Sequence, residues 1–447
     1  MSVPARTIYV ECTSTYRFDS LTGISRVIHN VMRHLPALAA AQGFAVVPVW
    51  FAEGAFHRVP VDASGCLQPR SRDRGDDQMR SGGRQRLDRL ATLVPAGRLR
   101  DALLAHSDEP GVANLLRRAA RAAQRLRLWR VGAVEMRDAV TIGSADVLLR
   151  VDLTLVPDMR AALVKLRAQH TAVCAIIYDL IPLLHPEFWP PTFVEQFRAW
   201  TATVFATSDH IFTISRTVKA DLETYRGSLP TGSHPAAQSI DWFHLGYDMH
   251  GDSGDAQPRA TLRAVFESGR PVLLNVGWFD PRKNQVRLVE AVGRLWARGV
   301  HATLLIIGKR GTGAEDVLAG IRRQPGSERF VRMFHDLTDA EVLYAMKHAR
   351  ALVYASYVEG FGLPLVEALA AGLPAFASDI PVFREIADGH AAFFDPWNAE
   401  SMANVLEAFL SRGEYPALHA VQDFRWISWE TSVSRLFDTV RSALPDP

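Results

Sequence analysis

The chain has 447 residues and a formal net charge of +2, more than one compact core usually holds, so two domains are expected. It is 48% hydrophobic with a mean hydropathy near zero, and no apolar run reaches the ~18 residues that suggest a membrane span. Residues 1–10 lack the basic and apolar regions of a signal peptide, and Cys12, Cys66 and Cys174 are too scattered for a disulfide framework or a zinc site. A cytoplasmic location is the simplest expectation. The charge is unevenly placed: Arg70 to Arg130 holds 15 Arg, no Lys and 7 Asp or Glu, a local +8 that leaves −6 for the remainder.

In chain order, residues 7–10 form an apolar strand, and a polar loop leads through Thr22-Gly23-Ile24 into a helix over 25–41. A second strand covers 44–50. From about 60 to 140 the rhythm breaks into a Gly/Arg/Asp-rich loop and then arginine-rich helices. Strands return at 145–149, 173–178 and 211–214, with helices over 158–169 and 216–225. The polar, turn-rich stretch 249–260 is the candidate linker. Beyond it strands at 272–276, 303–307, 330–333, 352–355 and 375–377 alternate with helical patterns. Leu288, Val292, Leu295 and Trp296, for example, recur at the spacing of one helical face. Apolar strands alternating with helices imply parallel sheets covered on both faces. The expected domains are 1–248, with the Arg-rich helical insertion, and 261–420. A helix over 421–447 packs back toward the first. Both domains are α/β, Rossmann-like and doubly wound, and they face each other across a cleft.

The most informative stretch runs from Glu359 to Glu367, Glu-Gly-Phe-Gly-Leu-Pro-Leu-Val-Glu. The apolar strand precedes it, and a helix body stopped by Gly372-Leu373-Pro374 follows. Pro364 suits a helix start because its missing N–H has no partner there. Free amides and the helix dipole at that start favour an anion. Glu359 lies on the loop at the strand's carboxyl end and Glu367 about one helical turn in. Such a pair can grip the hydroxyl-rich part of a ligand whose phosphates lie near the helix start. A second turn, Gly277-Trp278-Phe279-Asp280-Pro281-Arg282-Lys283-Asn284, follows the 272–276 strand. Asn284 is placed to cap the next helix, and Arg282 and Lys283 beside its start suit a diphosphate. A solvated basic turn is the plain alternative.

Taken together in this order, Gly277…Pro281-Arg282-Lys283-Asn284, Ile307-Gly308-Lys309, Glu359-Gly360-Phe361-Gly362-Leu363-Pro364…Glu367 and Asp395-Pro396 resemble the retaining, nucleotide-sugar-dependent group 1 glycosyltransferases of family 4, which have the GT-B fold. In the first half Thr22-Gly23-Ile24-Ser25-Arg26, Tyr178-Asp179-Leu180-Ile181-Pro182, His185-Pro186-Glu187 and Ile214-Ser215 are similar to the same family. The resemblance implies that Glu359 holds donor-sugar hydroxyls and Glu367 the ribose. Arg282 and Lys283 would neutralise the diphosphate, and the backbone around Phe361, Gly362 and Leu363 would contact sugar or phosphate. Gly308 and Lys309 would lie near the base beside Gly277, the loop at Gly23 would close over the donor, and Asp179 would contact sugar or acceptor. Two positions depart from the pattern. Tyr178 stands where many relatives have histidine, and it either touches the donor or simply closes a strand. Trp278 stands where some relatives have arginine, which shifts phosphate charge to Arg282.

No Asp-x-Asp occurs in the chain, so no metal-holding pair of that kind is expected and activity is expected without added metal or cofactor. The implied reaction is transfer of a hexose, mannose favoured, from a nucleotide-diphosphate sugar such as GDP-mannose. The implied acceptor is a saccharide or polyprenyl-linked saccharide in surface polysaccharide (lipopolysaccharide) synthesis, held mainly by the first domain, with the donor mainly in the second. A nucleotide-sugar epimerase of the same fold, or a non-catalytic nucleotide-binding assembly partner, remains the alternative. Leu115, Ala119, Ala122, Leu126 and Trp129 share one face of a basic helix that can lie on an anionic membrane, or pack on the first domain with its arginines solvated. No nucleic-acid reading module accompanies the charge.

Overall fold

The structure is a computed structural model that describes residues 6–18, 23–62, 67, 138–248 and 257–442. The Arg-rich segment 70–130, most of the linker and Cys66 lie outside the described residues. Two sheets organise what is described. The first contains β1 (Arg6–Glu11), β2 (Phe44–Ala52), β3 (Ala55–Arg58), β4 (Val147–Arg150), β5 (Ala172–Ile177), β6 (His210–Thr213) and β7 (Ser239–Trp242) in the order β3-β2-β1-β4-β5-β6-β7. Only the β2–β3 edge pair is antiparallel.

The second sheet contains β8 (Val272–Val276), β9 (Thr303–Ile307), β10 (Val331–Phe334), β11 (Ala351–Tyr354), β12 (Ala375–Ser378) and β13 (Ala392–Phe394). It is parallel throughout, in the order β10-β9-β8-β11-β12-β13. Two strands run to one side of β8 and three to the other, the doubly wound order whose direction changes between the first and fourth strands. Its central strands are buried on both faces, so Leu273, Leu304, Leu352, Val353 and Phe376 read as apolar runs and not as alternations.

Within the polar loop expected after β1, residues 13–18 form a short helix, Thr13–Phe18, and the long helix spans Gly23–Ala40. Thr13 N bonds Glu11 Oε1 at 2.9 Å, and Thr15 N bonds Asp152 Oδ2 at 2.6 Å. A near carboxylate, Glu11, and a distant one, Asp152, thus organise a turn that looks merely polar in one dimension. The final helix Trp429–Ser442 returns to the first domain, where Phe437 meets Phe44 edge-on at 5.8 Å. Trp429 packs so closely on Gly246 that a Cβ there would fall 2.3 Å from its Cα.

The two sheets are joined across the cleft by polar contacts. Ser215 Oγ donates to the Gly360 carbonyl at 3.0 Å. Glu385, on helix Pro381–Ala387, accepts from the amides of Arg216 (2.8 Å) and Thr217 (2.9 Å), from Thr217 Oγ1 (2.7 Å) and from His244 Nε2 (2.7 Å). A carboxylate of the second domain thereby satisfies the open N-terminus of the first domain's helix Arg216–Gly227. Burial alone would raise the Glu385 carboxyl, but these donors outweigh it and hold it at about 2. Glu385→Ala should open the cleft. We expect a larger radius of gyration in solution scattering, with stability falling by about 2 kcal/mol for the lost bonds. An unchanged scattering profile would show that this contact does not hold the domains together.

Candidate active site

The site forms at the carboxyl ends of β8 and β11, the adjacent strands between which the order of the second sheet changes direction. After β8 the chain makes a tight turn, Pro281–Lys283, begun by Asp280, whose Oδ1 accepts from Arg282 N at 3.0 Å. After β11 the loop carries Tyr357 and Glu359. The two turns are tied together by the Tyr357 N–H bonding the Arg282 carbonyl at 2.9 Å.

Glu359 is the hub. Its side chain is only 8% exposed and both its oxygens accept hydrogen bonds. Oε2 accepts from Arg282 Nη1 at 2.8 Å, while Oε1 accepts from Ser356 Oγ at 2.7 Å, Tyr354 OH at 3.0 Å and the Lys283 ammonium. Burial works to raise its carboxyl, but Lys283 and Arg282 overcome this and hold it at about 2. Burial, with the nearby guanidinium opposing a second charge, pulls the Lys283 ammonium below its ordinary value, against the pull of Glu359. Burial likewise raises Asp280, against Arg282. The cations expected to meet a diphosphate are therefore already paired.

Asn284 does not cap the following helix, Gln285–Ala297. It sits in the left-handed region (φ 59), which asparagine tolerates. Its Nδ2 donates to the carbonyls of Ala355 (3.0 Å) and Pro396 (2.8 Å). It fastens the cation turn to the end of β11 and to the Asp395-Pro396 turn.

The other expected residues fall as follows. Helix Leu363–Ala370 begins one residue before Pro364, the expected start, and the amides of Gly362 and Leu363 have no hydrogen-bond partner among the described residues. Glu367 lies on that helix with a 14% exposed side chain, paired with Arg26 of helix Gly23–Ala40. Gly23 begins that helix with open space around it. The Phe361 ring is buried between His244 and Trp426, each 6.0 Å away, so its side chain serves packing and only its backbone remains for a ligand. Gly308 is pressed on Gly277: a Cβ there would lie 1.8 Å from the Gly277 carbonyl oxygen. Lys309 is exposed, and its side chain makes no bond among the described residues.

Across the cleft, Asp179 accepts from Ile181 N at 2.9 Å and faces the Glu359 loop. Gly360 passes so near that a Cβ would sit 2.5 Å from the Tyr178 carbonyl and 3.0 Å from Asp179 Cβ. Burial raises the Asp179 carboxyl, with Arg282 opposing. Tyr178 is turned inward and donates to the Val151 carbonyl at 2.7 Å, and its burial, with Asp152 and Glu11 adding to it, pushes its hydroxyl well above the usual range. It closes a strand and does not occupy the place of a ligand-facing histidine.

Sequence inspection missed Tyr354, Ser356, Asp280 and Arg26 as parts of the site. Tyr354 and Ser356 precede Glu359 by five and three residues, a spacing that a search for hydroxyls beside a buried carboxylate could find.

Because Glu359 moves from its ordinary 4.5 to about 2 on folding, its contribution is fully present above about pH 4.5 and is lost as pH falls toward 2. Glu359→Gln cannot ionise. The stability difference between wild type and variant should therefore widen by about 3 kcal/mol as pH rises through that window. Urea unfolding between pH 2 and 6 measures it, and parallel curves for the two proteins would contradict the pairing.

Residues 259–419 match the family model for glycosyl transferases group 1. The serotype-specific mannosyltransferase WbdA of Escherichia coli is 28% identical over 313 residues, covering 69% of this chain and 38% of that protein. The phosphatidyl-myo-inositol mannosyltransferase of Mycolicibacterium smegmatis is 33% identical over 186 residues, 39% of this chain and 46% of that one. The chain thus spans well under half the length of the WbdA proteins it matches. Among solved structures, HepE of Anabaena with UDP and glucose superposes with a TM-score of 0.58 at 13% identity, covering 98% of this chain and 100% of that one. Sucrose-phosphate synthase from Thermosynechococcus elongatus gives 0.60 at 17% identity, covering 98% of each. The fold is GT-B, residues 259–419 match the group 1 glycosyl transferase model, and the chain is similar in sequence to mannosyltransferases.

Proposed function

We propose that this protein is a retaining hexosyltransferase that moves mannose from a nucleotide-diphosphate sugar, GDP-mannose first, to a saccharide or lipid-linked saccharide in surface polysaccharide synthesis. The observation that carries the proposal is the Glu359–Arg282–Lys283 cluster at the switch point of a group 1 domain. The likeness to mannosyltransferases supports the sugar.

On donor entry the diphosphate takes over Arg282 and Lys283, and Glu359 is released to hold sugar hydroxyls. The free amides of Gly362 and Leu363 add donors at the helix start. Glu367 exchanges Arg26 for the ribose hydroxyls. The acceptor oxygen then bonds to the anomeric carbon as the bond from that carbon to the phosphate oxygen breaks. The leaving diphosphate takes the acceptor proton, so no side-chain base is needed. Arg282 and Lys283 stabilise the charge that builds on the leaving oxygen, which is electrostatic catalysis in a site shielded from water. With protein cations in that role, transfer proceeds without added metal. Among the described residues no helix is long and apolar enough to cross a membrane. Contact with an anionic membrane through the Arg70–Arg130 segment belongs to the proposal on its charge pattern alone.

A thermal-shift panel of GDP-, UDP- and dTDP-sugars tests the donor. A ligand at ~100 times its dissociation constant stabilises by roughly 2.7 kcal/mol, and GDP-mannose should give the largest shift. Arg282→Ala and Lys283→Ala should each lower turnover by about 10²–10³, measured in excess chelator. Near-normal rates in both variants would remove the leaving-group role, and an isomerised donor without acceptor would favour an epimerase.

A further inference from the structure

Three aromatic rings stand beside the Glu359 cluster without a part in it. Phe188 of the first domain lies parallel to Tyr357 of the second, with 6.1 Å between centroids and 10° between planes. Tyr357 in turn stacks on Trp397 at 4.1 Å and 24°. Trp397 closes the row and is 61% exposed, with its inner face covered by Tyr357 and its outer face open.

We infer that Trp397, backed by Tyr357, is a stacking platform for one pyranose ring of the acceptor saccharide. This rests on the transfer to a saccharide proposed above. A pyranose has an apolar face of C–H groups and a rim of hydroxyls. The C–H groups carry partial positive charge, and the face of an indole ring is negative, so stacking hides apolar area and matches charge.

The platform is rigid where it needs to be. Trp397 N bonds Asp395 Oδ1 at 2.8 Å, and Asn398 Oδ1 caps the next helix by accepting from Glu400 N (3.0 Å) and Ser401 N (3.2 Å). The Pro396 carbonyl accepts from Asn284, the neighbour of Lys283. The Tyr357 hydroxyl accepts from Arg287 Nε at 3.1 Å, and the Tyr357 amide holds the Arg282 carbonyl. The stacking face is therefore fixed relative to both the cation turn and Glu359, two residues beyond Tyr357.

Its surroundings suit a sugar better than a protein partner. The open apolar surface is one ring wide, and charged groups flank it. Asp395 Oδ2 and the terminal nitrogens of Arg287 have no partner among the described residues and can meet hydroxyls. The platform follows β13, while Gly308 and Lys309 follow β9, on the other side of β8 and β11. A nucleotide lying toward Gly308 leaves the Trp397 side free for the acceptor.

Saturation-transfer NMR with methyl α-D-mannopyranoside and an α-linked mannotriose as probes tests this on wild type, Trp397→Ala and Trp397→Phe. The thermal shift given by GDP-mannose is recorded on the same samples. The platform predicts saturated ring C–H protons in wild type and Trp397→Phe and at least a fivefold weaker effect in Trp397→Ala, with the GDP-mannose shift equal in all three. Equal saturation in Trp397→Ala overturns it, as does a GDP-mannose shift lost in that variant, which would assign Trp397 to the donor. Absence of saturation in wild type also overturns it. The GDP-mannose shift then shows separately whether the donor assignment stands.

Discussion

The architecture of the site depends on one buried carboxylate between two buried cations. Removing Arg282, Lys283 and Glu359 from water has a cost of several kcal/mol per ion unless each is paired and its remaining hydrogen bonds are met. Glu359 meets that condition with four donors. The turn after β8 and the loop after β11 are not linked by strand pairing at this point. They are joined by this charge cluster, by the bond from Tyr357 N to the Arg282 carbonyl and by the bonds from Asn284 Nδ2 to the Ala355 carbonyl and from Arg282 Nη1 to the Val358 carbonyl. The group 1 signature therefore has a structural meaning before any ligand arrives: the same residues that suit a diphosphate set the distance between the loops.

A similar logic operates between the domains. Arg26 of the first domain sits on Glu367 of the second, and Glu385 of the second caps a helix of the first. Gly360 is threaded between Ser215 and the Tyr178–Asp179 backbone, where no side chain fits. The donor-side loop is thus shaped partly by the opposite domain, so opening the cleft would also loosen the loop that carries Glu359.

How much of this the chain announces depends on where the information lies. Strands β8 and β9 are almost wholly buried and mostly apolar, and their bounds follow from local pattern. The missed elements lack such a pattern. Strand β7 is Ser-Ile-Asp-Trp at a sheet edge, and β3 follows a turn in which Glu53 itself takes a positive φ of 48. The helix Pro191–Thr207 is built from aromatic and β-branched residues of weak helical propensity. Site residues were legible as a set because glycines, cations and carboxylates cluster in sequence. Their partners were not: Asn284 finds its acceptors 71 and 112 residues away, and Tyr178 turns toward Val151.

The pairing changes what anion recognition requires here. Two exposed cations would attract a diphosphate by bare charge. Arg282 and Lys283 instead share their surroundings with Glu359 and with buried Asp280, so the cluster has two positive and two negative groups when all are ionised. Attraction at a distance then falls to the unpaired amides of Gly362 and Leu363 and to exposed Lys309. On the proposed donor role, gain at close range would come from exchange: phosphate oxygens would replace carboxylate oxygens on the same cations while sugar hydroxyls take the carboxylate. An anion that brings no hydroxyl-rich group would leave the buried Glu359 charge with only the Ser356 and Tyr354 hydroxyls, a penalty of a few kcal/mol. In the proposed role the cluster would discriminate a nucleotide sugar from a free diphosphate through the group it must release, not through the charge it presents.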